Sequence, residues 1–259
     1  MENAKLNTVL INSVYASLFI QVATGLIDLY VYFLPVAREL TIVKKMLELE
    51  LFVQLIEGSF YTWFAATSSH IKNITPNRYY DWAITTPTML FTFCLYLDYL
   101  GEHEKNTKEQ LTPLDPGWQT RTSDNTNESA RNTSIPIKDI TLSEYLWQKK
   151  SLLLPIFVLN WVMLIFGYLG EIGELDNQLA VICGFLPFIT FFVIIYDKFA
   201  KYSTMTGQII YWLFFVIWSM YGLAALATYY WKNIAYNILD LFAKNFFGML
   251  LAYTLYTHL

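Results

Sequence analysis

The chain has 259 residues, of which 55% are hydrophobic, 18% aromatic and only 15% charged. Soluble domains carry about 25% charged residues, so the deficit and the positive mean hydropathy argue against a soluble domain and for a membrane protein. A net charge of −4 gives no footing for a nucleic-acid partner, and Cys94 and Cys183 lie in apolar runs without metal-ligand or disulfide spacing.

Seven apolar stretches are long enough to cross a hydrocarbon core, which takes about 20 helical residues. They fall near 6–36, 41–68, 77–100, 145–170, 178–200, 205–230 and 233–257, the third, sixth and seventh most clearly. The first has no basic region followed by a small-residue cleavage site, so it is expected to stay as a membrane helix. Pro35 and the charged stretch from Arg38 to Lys45 separate the first two. Residues 101–143 are rich in Asn, Thr and Ser and carry charges of both signs. They are expected to form a long, partly disordered polar loop between the third and fourth helices. Its two sequons, at Asn127 and Asn132, matter only if the loop faces a lumen. Gly170, Glu171, Gly173, Glu174 and Asp176 separate the fourth and fifth helices, and there is no internal repeat.

Lysine and arginine placement sets the orientation. With the N-terminus outside, inner segments hold Arg38, Lys44, Lys45, Lys149, Lys150, Lys198 and Lys201, and the loop adds Lys105, Lys108, Arg121, Arg131 and Lys138. The outer side holds Lys5, Lys72, Arg78 and Lys232. The expected fold is an all-α membrane protein, a single domain over 1–259. It is a seven-transmembrane-helix bundle with the N-terminus outside, the C-terminus cytoplasmic and loop 101–143 in the cytoplasm, where its sequons go unused.

Several charges sit where a bilayer penalises them. Lys244 lies midway along the seventh helix, where a lysine costs about 2.5–3.5 kcal/mol on insertion scales. Asp240 is one turn away on the same face. The two could form a structural ion pair, or Lys244 could be a reactive amine that condenses with an aldehyde, with Asp240 as its counterion. On the third helix Arg78, Asp81 and Thr85 share one face. Asp81 and Asp240 would flank a protonated Schiff base, and Arg78 would offset their combined charge. A purely structural network is the competing reading.

The third helix reads Arg78-Tyr-Tyr-Asp-Trp-Ala-Ile-Thr-Thr-Pro87, and the seventh holds Leu239-Asp-Leu-Phe-Ala-Lys244. Together these resemble the microbial rhodopsin family. The resemblance extends to Trp218-Ser-Met-Tyr-Gly222 and Met163-Leu-Ile-Phe-Gly167, and covers nearly the whole chain except 101–143. It implies retinal, all-trans in the dark, bound to Lys244 as a Schiff base. It places Trp82, Met89, Met163, Gly167, Trp218 and Tyr221 around the retinal, although ordinary helix packing would use the same aromatics. It makes Asp81 the main counterion and proton acceptor, sets Thr85 and Thr86 to hydrogen-bond nearby, and pairs Asn160 with Thr86 across the third and fourth helices. Departures from the family pattern are Gly222 for a usual proline, Ala225 at a common pocket tryptophan and Gly184 at a fifth-helix position often filled by tryptophan.

For transport, the resemblance places the cytoplasmic proton donor at Thr92, which cannot supply a proton as a carboxylic acid does. Asp98 lies too far along, and Tyr230 and Lys232 stand where pumps carry a release pair of glutamates. On the second helix Glu50 and Glu57 share a face, with Glu48 on another. Buried carboxylates on one stripe serve either as interhelical polar glue or as an ion path. With Asn237 and Asn245 they look closest to the viral, channel-type members of the family, and acidic groups along a path favour cations. The expectation is a light-gated cation channel with no enzymatic activity and no metal site. It would be a multi-pass protein of the host cell membrane if viral, moving monovalent cations or protons across the lipid bilayer, and a homo-oligomer is compatible with the family. The alternatives are a light-driven outward proton pump and a photosensor signalling through the cytoplasmic loop.

Overall fold

The structure is a computed structural model that describes residues 2–67, 73–111 and 137–257. Seven helices follow one another: α1 (Glu2–Phe33), α2 (Thr41–Thr67), α3 (Thr75–Leu111), α4 (Leu142–Glu171), α5 (Asn177–Lys198), α6 (Met205–Ala224) and α7 (Tyr229–Tyr256). Short 3₁₀ turns at Arg38–Leu40, Ile137–Asp139 and Ala200–Tyr202 join them, and there is no strand among the described residues. Each helix packs against the next, and α7 returns to α1 and α2, so the bundle closes into a ring.

Local chemistry starts the helices. Thr141 and Glu144 form a reciprocal capping box at the head of α4, Asp176 accepts from the backbone N–H groups of Gln178 and Leu179, and Thr204 accepts from Gly207. Two boundaries differ from the sequence reading. α6 ends at Ala224, where the apolar pattern suggests 230, and α7 starts at Tyr229. α3 runs on to Leu111, so the polar segment expected as loop from 101 begins as helix. Periodic apolarity marks where a helix leaves the membrane, not where its backbone hydrogen bonding stops. The rest of that loop expectation, the sequons included, lies outside the described residues up to the turn at Ile137.

The distribution of polarity is inverted relative to a soluble protein. Phe19, Leu26, Phe33, Ile182, Leu186, Val193 and Met205 face outward, whereas Asp28, Glu50, Glu57, Arg78, Asp81, Asp240 and Lys244 are buried. α1, α4, α5, α6 and α7 are each long and apolar enough to cross a bilayer. α2 and α3 fall short of that measure. Although the sequence of α3 reads as one of the clearest spans, α2 buries Glu50, Gln54 and Glu57 and α3 buries Thr75, Arg78, Asp81, Thr85 and Thr92, which lowers their apolarity. The bundle is that of an integral membrane protein, with its ionisable groups turned inward.

Candidate functional site

α7 changes winding at its centre. Residues Leu241–Asn245 form a π-helical turn, and Lys244 lies inside it. Such turns insert an extra residue and re-aim side chains, and they occur often at functional sites. Lys244 Nζ donates to Asp81 Oδ2 at 2.9 Å, lies 3.4 Å from Glu57 Oε1 and 3.9 Å from Asp240 Oδ1. Three carboxyls from α2, α3 and α7 therefore surround one amine, all buried.

The three are not equivalent. Asp240 accepts from Tyr61 OH at 2.7 Å, from Tyr221 OH at 2.8 Å and from Arg78 Nη1 at 3.2 Å. Its sequence neighbour on the helix face is Lys244, but its close partners are Arg78 and the two tyrosines. Asp81 has the lysine on Oδ2, and its Oδ1 has no hydrogen-bond partner. Neither oxygen of Glu57 has a hydrogen-bond partner among the described residues, the lysine standing 3.4 Å away. With Arg78 and Lys244 as the cations, three carboxyls face two positive charges.

Arg78 is fully buried and donates four hydrogen bonds: Nε to Asn233, Nη1 to Tyr61 and Asp240, and Nη2 to Asn237. Asn237 in turn donates to Ser13 Oγ at 2.8 Å, and Ser17 Oγ donates to the Asn237 carbonyl at 3.1 Å. The sequence reading sets Asn237 along an ion path. Its side-chain amide accepts from Arg78 and donates to Ser13, so it ties the guanidinium to α1. Thr85 hydrogen-bonds beside Asp81, its hydroxyl donating to the Asp81 backbone carbonyl at 2.9 Å. Thr86 does accept from Asn160 Nδ2, at 2.8 Å, joining α3 to α4 as expected.

On the other side of Lys244 is an apolar cavity of about 790 Å³, counted out to its mouth. Trp82, Thr86, Met89, Met163, Gly167, Trp218 and Tyr221 line it, together with Gly184, Phe185, Phe188, Gly222 and Ala225, and Lys244 closes one wall. The three departures from the family pattern thus all fall on this wall. Gly222 has a steric reason. A Cβ there would come within 2.6 Å of the Phe185 ring, so α6 and α5 approach too closely for a side chain. The fit to retinal can be judged from these residues. A long apolar aldehyde needs an apolar, aromatic slot ending at one amine, and the walls and Lys244 provide that.

Several polar groups lie beyond the cluster, and three of them, Gln21, Asp28 and Gln54, are not singled out in the sequence reading. Asp28 on α1 is fully buried and accepts from Gln54 Nε2 at 2.6 Å. Gln21 is buried with both amide atoms unpartnered, as is Asn245. Asp28 sits among Ile27, Leu29 and Tyr30, so its sequence window reads as lipid-facing helix. The signal that could have found it is its spacing of seven from Gln21, one face of α1. Glu50 accepts from Thr92 Oγ1 at 2.6 Å. Thr92 therefore holds a carboxyl supplied by α2, although the residue itself has none. Asp98 is engaged elsewhere, with Tyr145 OH at 2.8 Å and Lys149 at 2.9 Å, and Lys232 pairs with Glu171 at 2.7 Å.

A ring of seven helices among the described residues, closed around a lysine-ended apolar slot, defines the class: an integral membrane bundle with an internal amine facing a cavity. The sequence profile described as bacteriorhodopsin-like protein matches residues 12–258, and the chain belongs to that family. Retinal photoreception and ion transport are properties of the family. Among solved structures, viral rhodopsin OLPVRII is similar at 26% identity and a TM-score of 0.72, over 96% of this chain and 99% of that one. The blue light-absorbing proteorhodopsin from Med12 shares the fold at 17% identity and TM-score 0.64, over 96% of this chain and 97% of its own. Bromide-bound halorhodopsin from Halobacterium salinarum does so at 14% identity and TM-score 0.63, over 98% and 96%. No curated protein sequence matches the chain.

Proposed function

We propose that the protein is a retinal-binding, light-gated cation channel whose ion path runs along the α1–α2–α7 side of Lys244. Bound retinal supplies light absorption and a change of shape at the Lys244 nitrogen. The chain's residues do the rest. Asp81 holds the proton of that nitrogen. Asp240 is a fixed anion, immobilised by Arg78, Tyr61 and Tyr221. Glu57 is the carboxyl that motion of the nitrogen releases first, because nothing else holds it.

The observation that carries this reading is the position of Glu57. It touches the lysine from α2, on the same helix face as Gln54 and Glu50. Gln54 Oε1, Glu50 Oε2, Asp28 Oδ1, Gln21 and Asn245 are all buried with polar atoms unpartnered. Unpaired buried polar atoms are costly in a static core and are expected where water or ions pass. Orientation rests on the cationic bias. Arg78 belongs inside the bundle rather than to an outer loop, which strengthens the bias toward a cytoplasmic C-terminus.

Glu57→Gln, expressed in a voltage-clamped cell under illumination, is expected to change cation selectivity or lower conductance several-fold while visible absorption persists. An unchanged current would remove Glu57 from the path. One observation favours a second reading, an outward proton pump. The Thr92–Glu50 contact puts a carboxyl where a donor is needed. A current that keeps its direction against an opposing gradient, and that Glu50→Gln slows, would support it.

A further inference from the structure

Along the α1–α2–α7 side of the bundle, a second group of buried polar side chains gathers around Asp28. The Asp28 side chain is fully buried on a helix whose other faces are apolar. It receives one hydrogen bond, from Gln54 Nε2 to Oδ2 at 2.6 Å, and its Oδ1 has none. Gln54 Oε1 is unpartnered, and so are both amide atoms of Gln21, one face along α1 from Asp28. Glu50, also buried with Oε2 unpartnered, lies within electrostatic reach of Asp28 and of Lys244. No lysine or arginine bonds to Asp28 among the described residues.

α7 is shaped around this pair. A Cβ on Gly248 would stand 2.5 Å from Asp28 Oδ2 and 2.6 Å from Gln54 Nε2, so only glycine lets the helix close over the carboxylate. A Cβ on Gly25 would meet Gln54 Oε1 at 3.0 Å. A helix that merely needed filling would use an apolar side chain here. Instead the chain uses small residues to keep an acid, an amide and their unused oxygens together in the membrane interior.

We propose that Asp28 and the amide oxygen of Gln54, with the carboxyl of Glu50 one turn along α2, form a binding site for a small monovalent metal cation. The donor chemistry supports it: hard oxygen atoms, one acid without a cationic partner, and a neutral amide oxygen that replaces part of a hydration shell. The inference deepens the channel reading and rests on it for its role. There Asp28 is the station a cation occupies between the Lys244 cluster and the far end of the bundle.

Two measurements separate the site from the channel. The first uses purified, retinal-loaded protein in detergent, with N-methyl-D-glucamine replaced by Na⁺ or K⁺ in the dark, read by infrared difference spectroscopy. A cation-dependent carboxylate band that disappears in Asp28→Asn supports the site. A spectrum without such a band, or one whose band survives the substitution, overturns it. The second uses wild type, Asp28→Asn and Gly248→Ala under illuminated voltage clamp with unequal Na⁺ and K⁺ gradients. Both variants are expected to shift the reversal potential and lower conductance several-fold. Gly248→Ala tests the site without altering charge, and Asp28→Asn keeps the side-chain shape. If wild type carries no passive current but the cation-dependent band is present, the channel reading fails and the site stands. If wild type conducts and both variants leave reversal potential and conductance unchanged, the channel stands and the proposed station fails.

Discussion

On the α3–α6 side of Lys244 the bundle is dry and closely fitted. Trp82 packs edge-on against Tyr221 and Tyr236 at ring separations of 5.5 and 5.1 Å, and Phe188 packs against Phe185, Phe191, Phe192 and Phe215. On the α1–α2–α7 side the buried groups are acids and amides, many with unpartnered atoms. The first arrangement holds one shape in one place. The second holds groups in readiness for something polar that comes and goes. Lys244 sits on the seam, facing the aromatic cavity with its side chain and the acids with its nitrogen. In the proposed channel, this division would let one event serve two purposes: a shape change in the dry half would reach the polar half through the amine.

The largest expected effect comes from removing the seam. Lys244→Ala should abolish both the visible absorption band and every photocurrent, read by spectroscopy after retinal addition and by voltage clamp. A photocurrent that survives would break the coupling of the halves. Next is Asp81→Asn, which removes the carboxylate closest to the amine. A negative charge there stabilises the cation more before excitation than after, so its loss should move the absorption band to longer wavelength by tens of nanometres, on the order of a few kcal/mol for a close buried pair. An unmoved band would show that Asp240 or Glu57 is the dominant anion.

Gly222→Val tests the dry half alone. The added carbons must push the Phe185 ring aside, so retinal loading should fall and the band should shift, while the reversal potential of any remaining current stays as in wild type. A changed reversal potential would mean that the halves are not separable. The smallest effect is expected from Asn160→Ala. It removes one hydrogen bond between α3 and α4, worth about 1 kcal/mol, and should lower the melting temperature by a few degrees without changing ion selectivity.

The sequence reveals the dry half more fully than the wet one. Trp82, Met163, Gly167, Trp218 and Tyr221 fall on the cavity as their motifs imply, since a shaped apolar slot is written in residue types at fixed helical spacing. Lys244 and Asp81 are legible for the same reason. The contacts of Asn237 and Glu57 are not, because they depend on which neighbouring helix each meets. Asn237 turns to Arg78 and α1, and Glu57 reaches the amine from α2. The Thr92–Glu50 bond is a contact between two helices, so reading Thr92 alone hides the carboxyl beside it. The π turn at Leu241–Asn245 is likewise absent from any periodicity in residue type, yet it sets where Lys244 points.

The central claim is that light opens a passive path on the polar side of Lys244. The direct test is photocurrent measured across a range of holding voltages with the internal and external cations exchanged. A channel predicts a current that reverses, at a potential that moves with the cation gradient. A photocurrent that stays outward at every voltage and ignores the gradient would contradict it.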